Sequence, residues 1–436
     1  MNNPTHFQLT EAQAGVGPQD VPSFFRVRQK FERPREQDVP AAVRREVAPF
    51  LGRVQAGQRI AITGSSRGIA NLPRVLAECA KALKEAGAEP FIVPGMGSHG
   101  GATADGQIGV LAAAGITEAS MGVPIRSSME VIQVGTTSTG FPVFQDRNAA
   151  EADGVLVVNR VKPHTGFTET VESGLCKMLV IGLGKQAGAS RIHQQALKIE
   201  MGRMVLEASK IILESVRPRF IGGLALVENA FHETALVQGI ALDTHEHLVA
   251  EESRLLVRAY ELMARIPFEH LDALIVDEIG KNISGSGMDT NVIGKKPGLA
   301  TPQIGAIYVR GLTEATHGNA VGIGHADVMP RRLLDEIDLN ATYMNVFTAK
   351  ALRGGKLPLL AEHELQAMQV LLNFRQDPEV DSVRMAWIRN TSELDELWAS
   401  RALLDEVRAH PRLEILSEPL PVSYDAERNL IAPPLG

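Results

Sequence analysis

The stretch ADGVLVVNRVKP, residues 152–163, constrains the fold of this chain more than any other. It is a short run of apolar and β-branched residues that stops at a proline, which is the pattern of a buried strand. The strand ends in Lys162-Pro163-His164, so a basic residue and an imidazole are expected at the carboxyl edge of a sheet. Open α/β sheets usually bind their ligands at that edge. The sequence therefore predicts a ligand site around this strand end.

A strand–helix–strand unit upstream predicts that the sheet is parallel. RIAIT at 59–63 has the pattern of a strand, and 72–87 has that of an amphipathic helix that Gly87 closes. EPFIVP is then a second strand, which ends in the glycine-rich loop GMGSHGGAT. A crossover of this kind joins parallel strands.

The length of 436 residues favours two domains over a single core. The alternation of elements starts again after Pro267, where LDALIVDEIG indicates a fresh strand with its own loop. We therefore predict an α/β protein of two α/β domains with mostly parallel or mixed sheets. Residues 1–266 form the predicted cofactor-binding and catalytic domain, and residues 267–436 form a second domain that closes over the site. The active site is expected in the cleft between them.

Helical spacing and short apolar runs predict the remaining elements. Residues 171–194 alternate glycine-rich and apolar pieces, which predicts a loop, a short strand or helix, and another loop. Asp105 is the predicted N-cap of a short helix. The other helices are expected at 40–56, 194–216, 244–266, near 329–338 and near 361–373, and the other strands at FFRVRQKF, FIGGLALVEN, AIYVRGL and VRMAWIRN.

Composition narrows the class of protein. A net charge of −7 and a pI of about 6.0 argue against a nucleic-acid partner. The two cysteines, Cys79 and Cys176, cannot build a disulfide framework or a cysteine-rich zinc or iron–sulfur site. The N-terminus lacks the pattern of a signal peptide, and no apolar run reaches the roughly 18 residues of a membrane span. We expect a soluble cytoplasmic protein with no membrane partner.

A lysine and three histidines are the candidate chemical groups. Lys177 follows His164 in a glycine- and leucine-rich stretch that could bury its ammonium. A lysine in apolar surroundings is costly unless it is paired, deprotonated or covalently modified, so Lys177 is either functional or a snorkelling surface residue. His99 lies before Gly100-Gly101, in a loop that is either solvated or close to a ligand. His193, taken alone, could simply cap or pack a helix.

These residues resemble the motifs of the nickel-pincer lactate racemase family, whose members invert 2-hydroxy acids. The resemblance lies in Pro163-His164, in Lys177 and His193 at the family's spacing, and in GMGSHGGAT, which contains His99. It extends over most of the chain and weakens beyond about residue 298. It implies that His99 and His164 are catalytic and that His193 ligates nickel. It also implies that Lys177 covalently holds the cofactor, a pyridinium-3,5-bisthiocarboxylic acid mononucleotide.

The chemistry implied by the resemblance is racemisation or epimerisation at C2 by proton-coupled hydride transfer to and from the nickel-pincer cofactor. Two imidazoles suit this reaction, because each enantiomer presents its hydroxyl from a different side and an imidazole pKa lies near working pH. A single protein ligand to nickel implies that the cofactor supplies most of the coordination. The expected partners are a small 2-hydroxy acid and the proteins that synthesise the cofactor.

The loop GSSRG follows the strand at 59–63 and suits a phosphate, through its backbone N–H groups, its hydroxyls and Arg67. Ser66 and Arg67 are therefore predicted cofactor-binding residues, and Arg67 could also pair with a substrate carboxylate. The alternative is an ordinary Rossmann-like turn. The resembled family has an acidic residue in this loop that the present chain lacks.

The second half offers candidate substrate ligands in EIGKNISGSGMDTN, which resembles the loop that closes the family's substrate site. The candidates are Lys281, Asp289, Asn291 and Lys295, and the alternative for each lysine is a solvated loop residue. The family's Tyr-Gln pair is absent here, and TETVE at 168–172 is an expansion. Both changes predict a substrate larger or more polar than lactate, unless the expansion is an exterior loop.

Three other functions remain as alternatives. An NAD(P)-type oxidoreductase is one alternative. A non-catalytic cofactor-binding protein would not need both His99 and His164. A zinc hydrolase would need clustered ligands that the sequence does not offer.

Overall fold

The structure is a computed structural model that describes residues 17, 20–66, 68–195, 200–215, 219–373 and 379–431. The chain divides into two compact units, and the predicted α/β class is confirmed. One unit is Glu32–Met263, and the other combines Met1–Phe31 with Ala264–Gly436. The units thus differ from the predicted domains, because the N-terminal segment groups with the second half of the chain.

The described ranges contain both helices and strands along their whole length. The strands are β1 Phe24–Gln29, β2 Arg59–Gly64, β3 Glu89–Pro94, β4 Val131–Thr136, β5 Pro142–Asp146, β6 Gly154–Arg160, β7 Phe220–Glu228, β8 Thr234–Ile240, β9 His270–Val276, β10 Gln303–Val309, β11 Val328–Pro330, β12 Leu359–Ala361, β13 Met385–Ile388, β14 Glu396–Ser400, β15 Leu413–Ile415, β16 Ser423–Tyr424 and β17 Leu430–Ile431. The helices are α1 Val39–Leu51, α2 Leu72–Glu85, α3 Ala104–Ala113, α4 Glu118–Met121, α5 Arg147–Ala150, α6 Leu175–Lys177, α7 Lys185–Gln195, α8 Met201–Glu214, α9 His245–Leu262, α10 Arg331–Glu336, α11 Leu339–Ala349, α12 Glu364–Asn373 and α13 Leu404–Ala409.

The sheet of the unit 32–263 has the order β3-β2-β6-β7-β8. Strands β3, β2, β6 and β7 are parallel, and β8 returns antiparallel beside β7. Strand β6 is buried along Gly154–Val158, as the β-branched run predicts. Its successive side chains serve two cores, because side chains alternate across a strand. Val155 and Val157 pack with α8 and α9 on one face, whereas Leu156 and Val158 pack with α1 and α2 on the other.

The second unit contains a larger mixed sheet with the order β12-β11-β10-β9-β13-β14-β1-β15. The strands from β12 to β13 are parallel, and β14, β1 and β15 pair antiparallel. Strand β1 carries alternating buried residues that fill this sheet's core, including Phe24 against Trp387. The pairing of β1 with β14 and β15 is what joins the N-terminal segment to this unit.

Three local predictions differ from the structure. Thr103, and not Asp105, caps α3, because the Thr103 hydroxyl accepts the Gly106 N–H at 3.1 Å. Residues 175–195 are almost continuously helical, with a π-helical turn at Met178–Gly182 between α6 and α7. The long helix predicted at 194–216 corresponds to α8, which begins at Met201; residues 196–199 and 216 lie outside the described ranges.

No helix in the described part of the chain is long and apolar enough to cross a membrane.

The packing of β7 against α1 gives the first prediction. A Cβ added at Gly222 would lie 2.5 Å from the ring of Phe50, and a buried aromatic ring cannot move aside cheaply. Gly222→Ala is therefore expected to lower the free energy of unfolding by about 1–3 kcal/mol. Gly109→Ala is the control, because Gly109 lies in α3 with open space around it. The control should be neutral or stabilising by up to about 1 kcal/mol, and urea denaturation of both variants measures the difference.

Candidate functional site

The carboxyl ends of three neighbouring strands carry predicted site residues of the unit 32–263. Ser66 follows β2, His99 follows β3 and His164 follows β6. Because β3, β2 and β6 are adjacent and parallel, their carboxyl ends meet at one edge of the sheet. The sheet order therefore gathers residues that are far apart in sequence.

Ser66 and His99 are in direct contact, since the Ser66 Oγ lies at hydrogen-bonding distance from the His99 Nδ1. A hydroxyl can donate or accept, so this contact is compatible with either tautomer of the His99 ring. The His99 ring is exposed, and Gly97, Gly100 and Gly101 around it have positive φ values of 59°, 67° and 64°. These glycines give the loop its sharp turn.

The His164 ring is half-buried and is held from two directions. It stacks on Phe167 with ring centroids 4.2 Å apart. Its Nδ1 accepts the Gly166 backbone N–H at 2.9 Å. An Nδ1 that accepts a hydrogen bond carries no proton, so the neutral ring holds its proton on Nε2. In this arrangement the Nε2 of His164 is a hydrogen-bond donor.

Glu172 fixes the backbone of His164 and is not part of a polar pocket wall. Its side chain is 1% exposed, and its Oε2 accepts the His164 backbone N–H at 2.6 Å. Its Oε1 accepts the hydroxyl of Tyr260, on α9, at 2.9 Å. Glu172 belongs to the expansion at 168–172. Its partners make it a structural anchor of the histidine loop.

Lys177 is the last residue of the short helix α6, and its side chain is half-buried. Asn159, at the end of β6, ties this helix to the strand ends. Its Nδ2 donates to the Gly174 carbonyl at 2.8 Å, and its Oδ1 accepts the Ser65 hydroxyl at 2.8 Å. The loop that carries His99 also lies on this helical segment. A Cβ at Gly95 would come within 2.4 Å of the Met178 sulfur.

A buried glutamate lies beneath α6. Glu252, on α9, is 0% exposed, and its Oε2 accepts the Cys176 backbone N–H at 2.9 Å. Burial raises the pKa of Glu252 to about 7, against the opposing effect of the hydrogen bond from the Cys176 backbone. A Cβ at Gly174 would come within 2.2 Å of the carboxylate, so glycine is needed for this close approach. No feature of the sequence singled out Glu252.

The lysine that the segment buries completely is Lys185 and not Lys177. Lys185 is 0% exposed and forms an ion pair with the equally buried Asp146 at 3.1 Å. The sequence argument about a lysine in a glycine- and leucine-rich stretch was therefore sound for the stretch. Lys177 itself is only half-buried, so the choice between a functional and a snorkelling lysine stays open.

Two predicted residues cannot be placed in the site. Arg67 lies outside the described residues. His193 belongs to helix α7, whose backbone is described, but the side chain of His193 lies outside the description. Their roles as cofactor, substrate and nickel ligands stay predictions.

The second unit places its candidate residues around the loop after β9. The exposed Lys281 donates to the Asn345 Oδ1 on α11. Asp289 and Asn291 bond each other, because the Asp289 Oδ1 accepts the Asn291 backbone N–H at 3.0 Å and its side-chain amide at 2.8 Å. This bonding is typical of a turn that an aspartate stabilises. Asp289 and Asn291 therefore stabilise the turn in which they lie.

A basic region that the sequence did not reveal lies near Lys295, which is exposed. Burial and the positive charges of Lys295 and Arg353 lower the pKa of His325. Lys296, the next residue along the chain, is only 3% exposed. Buried lysines are rare, and two adjacent lysines in a sequence do not indicate which of them is buried.

Three comparisons with known proteins bear on this fold. A family model described as a domain of unknown function, DUF362, matches residues 63–257, which lie within the unit Glu32–Met263. The comparison with curated proteins gave no match.

Among solved structures, the chain is similar to a protein from Thermotoga maritima, at 12% identity and a TM-score of 0.50, over 84% of this chain and 99% of that one. It is also similar to the lactate racemase apoprotein from Thermoanaerobacterium thermosaccharolyticum, at 15% identity and a TM-score of 0.44, over 84% of this chain and 82% of that one. At such identities the likeness concerns the fold alone. The likeness to the Thermotoga protein agrees with the mixed α/β architecture.

The pKa of Glu252 gives the second prediction. The folded protein binds more protons than the unfolded chain between the ordinary pKa of 4.5 and about 7, so Glu252 makes stability fall as pH rises through this range. Glu252→Gln removes that titration. The free energy of unfolding of the variant, minus that of the natural protein, should rise by about 2–3 kcal/mol from pH 4 to pH 8.

Urea denaturation at several pH values measures this difference. Glu261→Gln, on the exposed face of α9, is the matched control and should show a flat difference. An equally flat result for Glu252→Gln would mean that Glu252 is not protonated by its burial.

Proposed function

We propose that this protein is a racemase or epimerase that inverts C2 of a 2-hydroxy acid with a covalently held nickel-pincer nucleotide. The observation that carries the proposal is the edge of the sheet β3-β2-β6. It brings Ser66, His99, His164 and the helix of Lys177 together in one unit. Their types and order resemble the motifs of the nickel-pincer lactate racemases.

The described residues fit such a cofactor. Lys177 offers a primary amine that is half-buried and lies beside the strand ends, and an amine is what a covalent tether requires. Ser66 offers a hydroxyl in the loop after β2, where a phosphate would also find backbone N–H groups. The described residues contain no cluster of three or more metal-ligating side chains, and His193 remains the proposed protein ligand. When bound, the nickel-pincer nucleotide would supply a reversible hydride acceptor.

The two histidines would move the proton of the substrate hydroxyl. His99 can accept it, because the Ser66 hydroxyl can adapt to either tautomer of the ring. His164 presents a proton on Nε2 while the Gly166 N–H occupies its Nδ1. As a base through Nε2 the ring must carry its proton on Nδ1, and as an acid it must be the imidazolium with both nitrogens protonated, so either role requires loss of the bond from Gly166. The two histidines thus have the same side chain, but their Nδ1 atoms have different hydrogen-bond partners.

The second unit would contribute the group that holds the substrate carboxylate. Lys281 and Lys295 remain the proposed partners, and Asp289 and Asn291 the proposed neighbours. The positive charge of Lys295 and Arg353 that acts on His325 supports an anionic ligand in that region. The predicted position of the active site between the two units stays a prediction.

The tether provides the decisive experiment and the third prediction. The protein is produced together with the proteins that synthesise the cofactor, and its intact mass and metal content are measured. We expect a nucleotide adduct with about one nickel per chain, and racemisation of a 2-hydroxy acid. Lys177→Ala and Lys177→Arg should both lose the adduct, because neither side chain can form the covalent link. Lys210→Arg, an exposed lysine change on α8, is the control that keeps it.

An adduct that persists in both Lys177 variants would show that Lys177 is not the tether. A natural protein without adduct, nickel or racemisation would contradict the proposed function itself.

The fourth prediction concerns the substrate. The expansion at 168–172 adds the exposed hydroxyl residues Thr168 and Thr170 next to the His164 loop, and the loop of the second unit adds Ser284 and Ser286. A site built to bond a polar substituent rejects substrates that lack it, since its own polar groups are then left unpaired. We therefore propose a substrate larger or more polar than lactate, such as a sugar acid or a hydroxy-diacid.

A panel of single-enantiomer 2-hydroxy acids, followed by chiral chromatography, tests this. The best polar substrate should exceed lactate in kcat/KM by roughly 100-fold or more. Faster turnover of lactate than of every polar candidate would refute the substrate class and leave the racemase proposal intact.

A further inference from the structure

We propose that Lys185 is a positioning residue for His99. The ammonium of Lys185 holds the loop Gly95–Gly101, called here the His99 loop, against the helical segment that follows Lys177. The inference rests on the proposed function, because His99 is there a catalytic base. It goes beyond that function by assigning a role to a lysine that touches neither substrate nor cofactor.

The contacts of the ammonium point in three directions. The Lys185 Nζ donates to the Pro94 carbonyl at 2.7 Å and to the Gln107 Oε1 at 2.9 Å, and it pairs with the Asp146 Oδ2 at 3.1 Å. Pro94 is the last residue of β3, immediately before the His99 loop. Two hydrogen bonds and one ion pair, from different parts of the unit, thus hold the ammonium.

Gln107 carries the connection into the His99 loop. It is 0% exposed, and its Nε2 donates to the Gly97 carbonyl at 2.9 Å. The Gly97 N–H in turn donates to the Gly182 carbonyl at 3.1 Å, on the segment between Lys177 and Lys185. Both backbone groups of Gly97 are therefore bonded: its carbonyl to Gln107 and its N–H to the helical backbone.

The burial of this lysine is costly, which argues that it does more than fill space. A buried charge lowers stability unless it is paired and hydrogen-bonded. Lys185 also holds a left-handed backbone conformation with φ of 54°, which a residue other than glycine rarely adopts. A methionine would fill a similar volume without either a charge or a donor.

The rival interpretation is that Lys185 only neutralises Asp146. Asp146 is needed in any case, because its Oδ1 accepts the Ala149 N–H at 2.9 Å and so caps α5. Variants that remove the ion pair, or only the link to the His99 loop, distinguish the two interpretations. Lys185→Met/Asp146→Asn leaves no unpaired charge and keeps the acceptor for Ala149. Gln107→Met keeps the ion pair and removes the link from Lys185 through Gln107 to Gly97.

The experiment measures hydrogen–deuterium exchange of peptides covering residues 95–101 in the full chain, beside the urea midpoint. For the double variant we expect a midpoint near that of the natural protein and exchange in the His99 loop faster by about 10-fold or more. Gln107→Met should show the same fast exchange. Glu364→Gln disturbs a buried ion pair in the other unit and is the control, with unchanged exchange in the loop.

Turnover supplies a second readout. Both the double variant and Gln107→Met should lower kcat for racemisation by about 10-fold or more with little change in KM, because a misplaced base weakens the reaction and not the binding. Exchange as slow as in the natural protein in the folded double variant would overturn the proposal, whatever Gln107→Met shows. If the double variant fails to fold, slow exchange in Gln107→Met would overturn it, because the proposed link from Lys185 to Gly97 passes through Gln107.

The exchange measurement requires no cofactor. An absence of racemisation in the natural protein would therefore contradict the proposed function while the positioning role of Lys185 is still decided.

Discussion

The candidate site depends on the parallel pairing of β3, β2 and β6. Parallel strands end at the same edge of a sheet, and their connections carry side chains away from that edge on loops. Here the three loops are short or glycine-rich, so His99 and His164 stay near the strand ends. The hydrogen bonds of Asn159 to Ser65 and Gly174 then join two of the strand ends to the helix of Lys177. A register slip in β6 would separate all of these groups.

Buried charges stabilise the connections beneath this edge. Glu252 accepts a backbone N–H from the start of α6, and Lys185 links β3, α3 and β5 through three buried contacts. Each group loses hydration on folding, so neither would be favoured by stability alone. Both lie directly under residues for which we propose chemical roles. Rigid support under a reacting group is the usual requirement of a precise site.

The sequence predicted the α/β class, the parallel unit around β2 and β3, and the buried strand β6, because these depend on local apolar periodicity. It missed the contribution of β1 to the second sheet, since strand pairing across the whole chain leaves no local signal. It also did not indicate that Glu252 is buried, because a glutamate in an amphipathic helix such as α9 is usually exposed. The sequence also did not indicate that Lys185, and not Lys177, is the fully buried lysine. A glycine-rich apolar stretch indicates that some ammonium is buried, but the helical phase from α6 to α7 decides which one.

The hydrogen-bond partners of the two histidine rings favour different tautomers. A racemase must accept a proton on one side of the substrate and deliver one on the other, and the roles exchange with direction. The hydroxyl of Ser66 follows either state of His99, whereas the Gly166 N–H can only donate and so favours one tautomer of His164. In the proposed reaction, His164 must lose this bond before it acts through Nε2, either as a base or, as the imidazolium, as an acid. The anchor of the loop, Glu172, holds the backbone N–H of His164, so this anchor does not depend on the protonation state of the ring.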